Sequence, residues 1–226
     1  MTGLFRLAAD HPAPSPAIQR PRTHVYIDGY NFYYGAVKDT PHKWLDFSRL
    51  LRMMRPHDDI LRIYYFTALV DAGGHRARQE TYLGALATLP NFEIVLGKFL
   101  RKNVRCRVAA CTATCDRFFS TSEEKRTDVN LAVYMLDDAY QNTCDRFILI
   151  SGDSDLVPSV HRIKERFPQK DVYVYVPAKG RQGSAYELRA SADRARDVPL
   201  NLLQHAQLPA RVPKGGGGFF EKPTSW

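Results

Sequence analysis

Arg146-Phe147-Ile148-Leu149-Ile150 runs straight into Ser151-Gly152-Asp153-Ser154-Asp155, and that junction decides the fold. The apolar run predicts a buried strand, and residues 156–167 that follow predict a helix. Asp153 and Asp155 therefore fall where a strand ends and a helix begins, the edge at which open α/β sheets bind ligands. Near the start, His24-Val25-Tyr26-Ile27-Asp28-Gly29-Tyr30-Asn31 repeats the design: a short apolar strand, then a carboxylate at its C-terminal end.

Outward from these two junctions the same alternation continues. Residues 59–70, 92–100 and 171–177 predict further strands, and the first is too apolar for a half-exposed one. Helices are expected over 31–37, 47–54 (capped by Asp46), 76–88, 128–140 and 184–193. Thr127 is read as the cap of the fourth, and Leu131, Met135 and Ala139 form its apolar stripe. Residues 197–203 read as an edge strand or a loop. The fold class is α/β, with a mainly parallel sheet of about five strands covered by helices on both faces. If the first and fourth strands are neighbours, Asp28 faces one crevice with Asp153 and Asp155.

At 226 residues, 44% hydrophobic and 25% charged, the chain suits one sizeable domain with tails. Residues 1–22 read as a flexible leader, 23–205 as the domain, and 206–226, with four successive glycines, as a disordered tail. The formal charge of +8 favours polyanionic partners. No apolar run approaches the roughly 20 residues of a membrane span, and the leader resembles no signal peptide. The cytoplasm is the default location, with no membrane partner. In that setting four cysteines point to reduced thiols or a metal.

Asp28, Asp128, Asp153 and Asp155 are read as meeting in one divalent-metal site. Clustered carboxylates repel one another, and a cation or a proton-transfer task is what holds them together. All-oxygen ligands suit Mg²⁺ or Mn²⁺. Each carboxylate also has a plainer reading: a turn beside Gly29, or a helix N-cap at Asp128, Asp153 and Asp155.

Three stretches carry a resemblance. Val25 to Asn31 (VYIDGYN), Lys125 to Leu136 (KRTDVNLAVYML) and Ser151 to Pro158 (SGDSDLVP) resemble the motifs of the NYN domain, a LabA-like branch of the PIN-like nuclease superfamily. The resemblance implies a three-layer α/β/α PIN-like fold, a Mg²⁺ or Mn²⁺ site and hydrolysis of RNA phosphodiesters, with single-stranded RNA as partner. It makes Asp28, Asp128, Asp153 and Asp155 metal ligands or holders of metal-bound water. Asn31 becomes an orienting amide, and Thr127 and Ser151 supporting hydrogen bonders. Many members carry a further Asp where this chain has Tyr134. Some similar proteins are assigned as NADH-dependent hydroxylases of 6-hydroxy-3-succinoylpyridine in nicotine breakdown. On that alternative a small aromatic acid stacks on Tyr30, Phe32, Tyr33 and Tyr34, with Arg181 or Arg189 on its carboxylate, although no Gly-x-Gly-x-x-Gly follows a strand. A non-catalytic RNA-binding module is the third reading.

Residues 101–126 break the alternation and read as a basic, aperiodic insertion. Cys106, Cys111 and Cys115, with Cys144 beyond the next helix, admit a structural zinc; Cys144 reads equally as a small buried hydrophobe. Lys98, Arg101, Lys102, Arg105 and Arg107, with Lys125 and Arg126, would hold a phosphate backbone, and Phe118 and Phe119 would stack on unpaired bases. The plainer view is a solvated loop. Oligomeric state is not legible.

Overall fold

The computed structural model describes residues 19–70, 74–106, 118–177 and 185–226. Strands β1 (Arg22–Asp28), β2 (Asp59–Thr67) and β3 (Phe92–Leu96) build one half of a parallel sheet. β4 (Lys98–Arg105) and β5 (Phe118–Lys125) pair only with each other, antiparallel. β6 (Arg146–Ile150), β7 (Asp171–Val176) and β8 (Arg194–Asp197) complete the sheet, in the order β3-β2-β1-β6-β7-β8. β1 and β6 are neighbours, so the topological switch point lies between the two strands whose ends carry Asp28 and the Ser151–Asp155 stretch. The count is six strands against the expected five or so. The extra one, Arg-Ala-Arg-Asp of β8, is a short charged edge strand, which hides in a sequence because its outer edge needs no apolar run.

Side-chain alternation along the strands divides the core into two layers. Val25, Ile27, Ile63, Tyr65, Ile148 and Ile150 point to one face, against Phe32 of α1 (Gly29–Phe32), Leu50 and Leu51 of α2 (Phe47–Met54) and Leu83 and Leu86 of α3 (Gly74–Leu86). Tyr26, Phe66, Phe147, Leu149, Val172 and Val174 point to the other. There they meet the stripe Leu131, Met135 and Ala139 of α4 (Thr127–Gln141), Val160 and Ile163 of α5 (Val157–Arg166) and Leu188 of α6 (Tyr186–Ser191). Each such side chain contributes about 1.5–3 kcal/mol on burial. The result is the expected three-layer α/β/α arrangement. Among the described residues no helix is long and apolar enough to cross a membrane.

Two expectations fail, for one reason: short antiparallel ribbons outside the main sheet. The stretch read as an aperiodic insertion holds the β4–β5 ribbon, whose exposed charged strands lack apolar alternation. Gly97 separates β3 from this ribbon. A Cβ there would lie 2.5 Å from the Thr127 hydroxyl oxygen and 2.7 Å from the Lys125 carbonyl oxygen, so only glycine lets the ribbon's base reach α4. The tail read as disordered forms a second ribbon, β9 (Arg211–Pro213) with β10 (Phe219–Glu221). Gly217 and Gly218, with φ of +96° and +80°, make its turn. Val212, Phe220 and Trp226 join the core beside α3, with Trp226 at 5.5 Å from Tyr82 ring to ring. Arg22 belongs to β1 and pairs with Asp145; residues 1–18 of the expected leader lie outside the described residues.

A buried carboxylate anchors the opposite end of the sheet. Asp138 of α4 accepts hydrogen bonds from the Tyr26 hydroxyl (2.6 Å) and the Thr143 hydroxyl (2.7 Å), and lies 2.9 Å from His24 Nδ1. Burial raises its pKa, but these partners outweigh burial and hold it below the ordinary aspartate value.

Candidate active site

Asp28 ends β1 and caps α1. Its Oδ1 accepts from the Asn31 backbone N–H at 2.9 Å, and its Oδ2 accepts from the Ser151 hydroxyl at 2.9 Å. Ser151 in turn accepts from the Asp153 N–H at 3.0 Å. The Asn31 side-chain oxygen accepts from the Gly152 N–H at 3.0 Å. These bonds, through Asn31 and Ser151, stitch the end of β1 to the end of β6. Asp153 caps a single 3₁₀ turn (Ser154–Leu156), accepting from the Asp155 N–H at 2.9 Å. Capping and cation binding are therefore not exclusive: each capping bond occupies one lone pair and leaves the carboxylate charge in place.

The second motif arrives by an unexpected route. Arg126, in the left-handed region with φ of 77°, turns the chain from β5 into α4 and occupies the N-cap without a side-chain bond. The expectation that Thr127 caps the helix is thus corrected. Its hydroxyl instead donates to Glu124 at 2.6 Å. The turn places Glu124 and Asp128 on the same cavity, and Glu124 is the residue that sequence reasoning missed. It lay inside the stretch read as aperiodic, and only the β4–β5 pairing, which sets it opposite Phe99, aims it inward.

Asp28, Glu124, Asp128 and Asp153 line one cavity of about 540 Å³ at the switch point, where Lys38 is the one basic residue among the described residues of the wall. Burial pushes Asp28 up to about 7; the Asn31 and Ser151 hydrogen bonds oppose this, and the Asp128 and Glu124 charges add to it. Burial also raises Asp128, helped by Asp153 and Asp155, and raises Glu124, helped by Asp128. Asp155 is exposed and does not line the cavity, although Asp128 feels its charge. Among the described residues no three His, Cys, Asp or Glu side chains stand close enough to grip one ion together. The arrangement fits a hydrated oxygen-seeking ion such as Mg²⁺ or Mn²⁺, held by one or two carboxylates with water and substrate filling the rest. It does not fit a dry cage of four.

Tyr134, where related chains carry an acid, packs edge-on against Tyr64 and Phe66, with ring centres 5.2 and 5.5 Å away. Its hydroxyl is directed to Glu93, not to the cavity. Of the basic residues offered as phosphate holders, Lys102 and Lys125 both pair with Glu123, while Arg105 and Arg126 are exposed. Phe118 and Phe119 are exposed on the same ribbon. Arg189 pairs with Asp197, and Arg181 lies outside the described residues. Cys144 takes the plainer of its two roles. Its thiol is fully buried in the core under α4 and pushed up to about 12 by burial. Cys106 is half-buried, and Cys111 and Cys115 lie outside the described residues.

Comparison with known proteins follows the same outline. A crystal structure of a protein of unknown function from Vibrio parahaemolyticus superposes with a TM-score of 0.53 at 19% identity, covering 81% of this chain and 96% of that one. The likeness there is of fold alone. A protein named 6-hydroxy-3-succinoylpyridine 3-monooxygenase HspA, from Pseudomonas putida, is 28% identical over 91% of this chain and 75% of its own length. The NYN domain profile matches residues 22–201, from the first residue of β1 to beyond β8 and across every carboxylate of the crevice. With that span covered, the chain belongs to the NYN domain family.

Proposed function

We propose that the chain is a metal-dependent ribonuclease acting at the β1–β6 crevice. The observation that carries this reading is the charge balance of the cavity, four carboxylates against one ammonium among the described residues, at the edge of the sheet where ligands enter. Asp28, Asp128 and Asp153, with Glu124 beside them and Asp155 at the rim, would hold Mg²⁺ or Mn²⁺. When bound, such an ion supplies Lewis-acid stabilisation of phosphate charge and acidifies water. The chain's own part is positional. Ser151 and the Asn31 N–H fix both oxygens of Asp28, and Asn31 ties Gly152, so the two strand ends do not drift apart. Arg105 and Arg126, and Lys102 and Lys125 once released from Glu123, would steady the phosphate backbone without reading sequence. Hydrolysis adds water at phosphorus and breaks one P–O bond, the leaving oxygen taking a proton.

The similarity to HspA favours a second reading, hydroxylation of a pyridine-type acid at the expense of NADH and oxygen. A side-by-side assay separates the two. Labelled single-stranded RNA with Mn²⁺ should be cut by the wild type and spared by Asp28→Asn. RNA left intact with either metal, alongside substrate-dependent loss of NADH and oxygen, would overturn the ribonuclease reading. RNA binding that survives Asp153→Asn with no activity of either kind would leave a binding module.

A further inference from the structure

Next to the acidic crevice lies a second cavity of about 510 Å³, and the two share the wall made by Tyr30, Tyr34 and Lys38. Its size falls within the range of small-molecule sites. Its chemistry is the inverse of its neighbour's. Phe32, Phe47, Tyr65, Tyr82 and Trp226 supply aromatic walls; Lys38, Lys43 and Arg78 stand among the lining residues; among the described residues no Asp or Glu lines it. Lys43 is half-buried and has no ion-pair partner among the described residues. Arg78 has no ion-pair partner among the described residues, its Nη2 lying 2.9 Å from His75 Nδ1.

Tyr65 is buried, with its ring forming part of the cavity wall. Its hydroxyl lies against Gly29, where a Cβ would come within 2.7 Å of it, so it sits one residue from Asp28 at the junction of the cavities. A hydroxyl in that wall can donate to an acceptor on a bound ligand.

We infer that this cavity is a binding site for a planar aromatic ring carrying an anionic group. The rings of Phe32, Phe47 and Tyr82 would enclose the ligand ring, Lys43 and Arg78 would take the anion, and the Tyr65 hydroxyl would donate to a ring oxygen or nitrogen. A nucleotide and a free heteroaromatic acid share this chemistry. The site is distinct from the acidic crevice and stands whether or not phosphodiesters are cleaved there.

Trp226 borders the cavity and Trp44 is fully buried; these are the only two tryptophans, so tryptophan fluorescence reports occupancy. Uridine and adenosine 5′-monophosphate, nicotinate and inorganic phosphate would be titrated in EDTA, against the wild type and Asp28→Asn, with calorimetry in parallel. Saturable quenching by at least one ring-bearing anion, unchanged in Asp28→Asn, is expected, with none from phosphate. Lys43→Ala/Arg78→Ala should weaken binding about tenfold or more, and the conservative Tyr65→Phe roughly three- to tenfold. Quenching by nucleotides alone assigns the ring to nucleic acid; quenching by nicotinate alone assigns it to a free acid. No saturation by any probe, equal quenching by phosphate, or affinity untouched by both variants would overturn the site. Because the titrations omit metal and tolerate loss of Asp28, failure of the ribonuclease reading leaves their outcome unaffected.

Discussion

Two buried carboxylates at opposite ends of the sheet have opposite fates. Asp138 is ringed by Tyr26, Thr143 and His24, and its pKa is held below the ordinary value. Asp28 is as deeply buried, has two donors, and shares its cavity with three further carboxylates; burial, helped by the charges of Asp128 and Glu124, carries it to about 7. Burial alone therefore does not mark a working acid. The company it keeps does: donors around Asp138 make a brace, and like charges around Asp28 make a demand for a cation.

The sharpest way to break the comparison is to neutralise each acid in turn. Asp28→Asn should lower Mn²⁺-dependent RNA cleavage by about a hundredfold or more, with the circular dichroism spectrum unchanged. Asp138→Asn should leave activity per folded molecule intact and cost on the order of 3 kcal/mol in urea unfolding, because it disrupts a charged centre that three groups were arranged to meet. Equal losses of activity in both variants would erase the distinction.

The pH dependence of stability sharpens it further. Asp138 has a depressed folded pKa, so its contribution is present above the unfolded value near 4 and is lost as pH falls through the folded value. Asp28, raised to about 7, runs the other way. Its contribution is complete below about 4 and is lost as pH rises towards 7, because the native state then holds a proton the unfolded chain has released. In metal-free buffer, Asp28→Asn should remove the decline between pH 4 and 7 and melt above the wild type at pH 8. Mn²⁺ at pH 8 should raise the wild-type melting temperature by about 2–4 °C for each kcal/mol of binding, and leave Asp28→Asn unmoved. The smallest effect belongs to the ribbon. Glu123→Gln releases Lys102 and Lys125 and should tighten RNA binding a few-fold at low salt, worth about 1 kcal/mol or less for exposed pairs.

How legible all this was depended on where the apolar residues lay. β1, β2, β6 and β7 declare themselves because both faces of a covered parallel strand must be apolar; their order, which sets Asp28 beside Ser151, enters from the sequence only as a condition and comes from the sheet itself. β4 and β5 could not be read this way. Their strands satisfy only each other's backbone, and sequences such as KFLRKNVR bury almost nothing. Glu124 was lost with them, since its role depends on pairing and on the left-handed turn at Arg126. In the tail, four glycines outweigh Val212, Phe220 and Trp226, although those three are the visible sign of something to bury.

Gly29 links the two chambers in a way that constrains how this protein can change. Any side chain at that position would displace the Tyr65 phenol on one side and press on the Phe66 carbonyl on the other. Altering what the aromatic chamber accepts by moving Tyr65 therefore disturbs the floor on which Asp28 rests. On the proposed reading, ring selectivity in one chamber and the setting of the acid in the other are coupled through this single glycine.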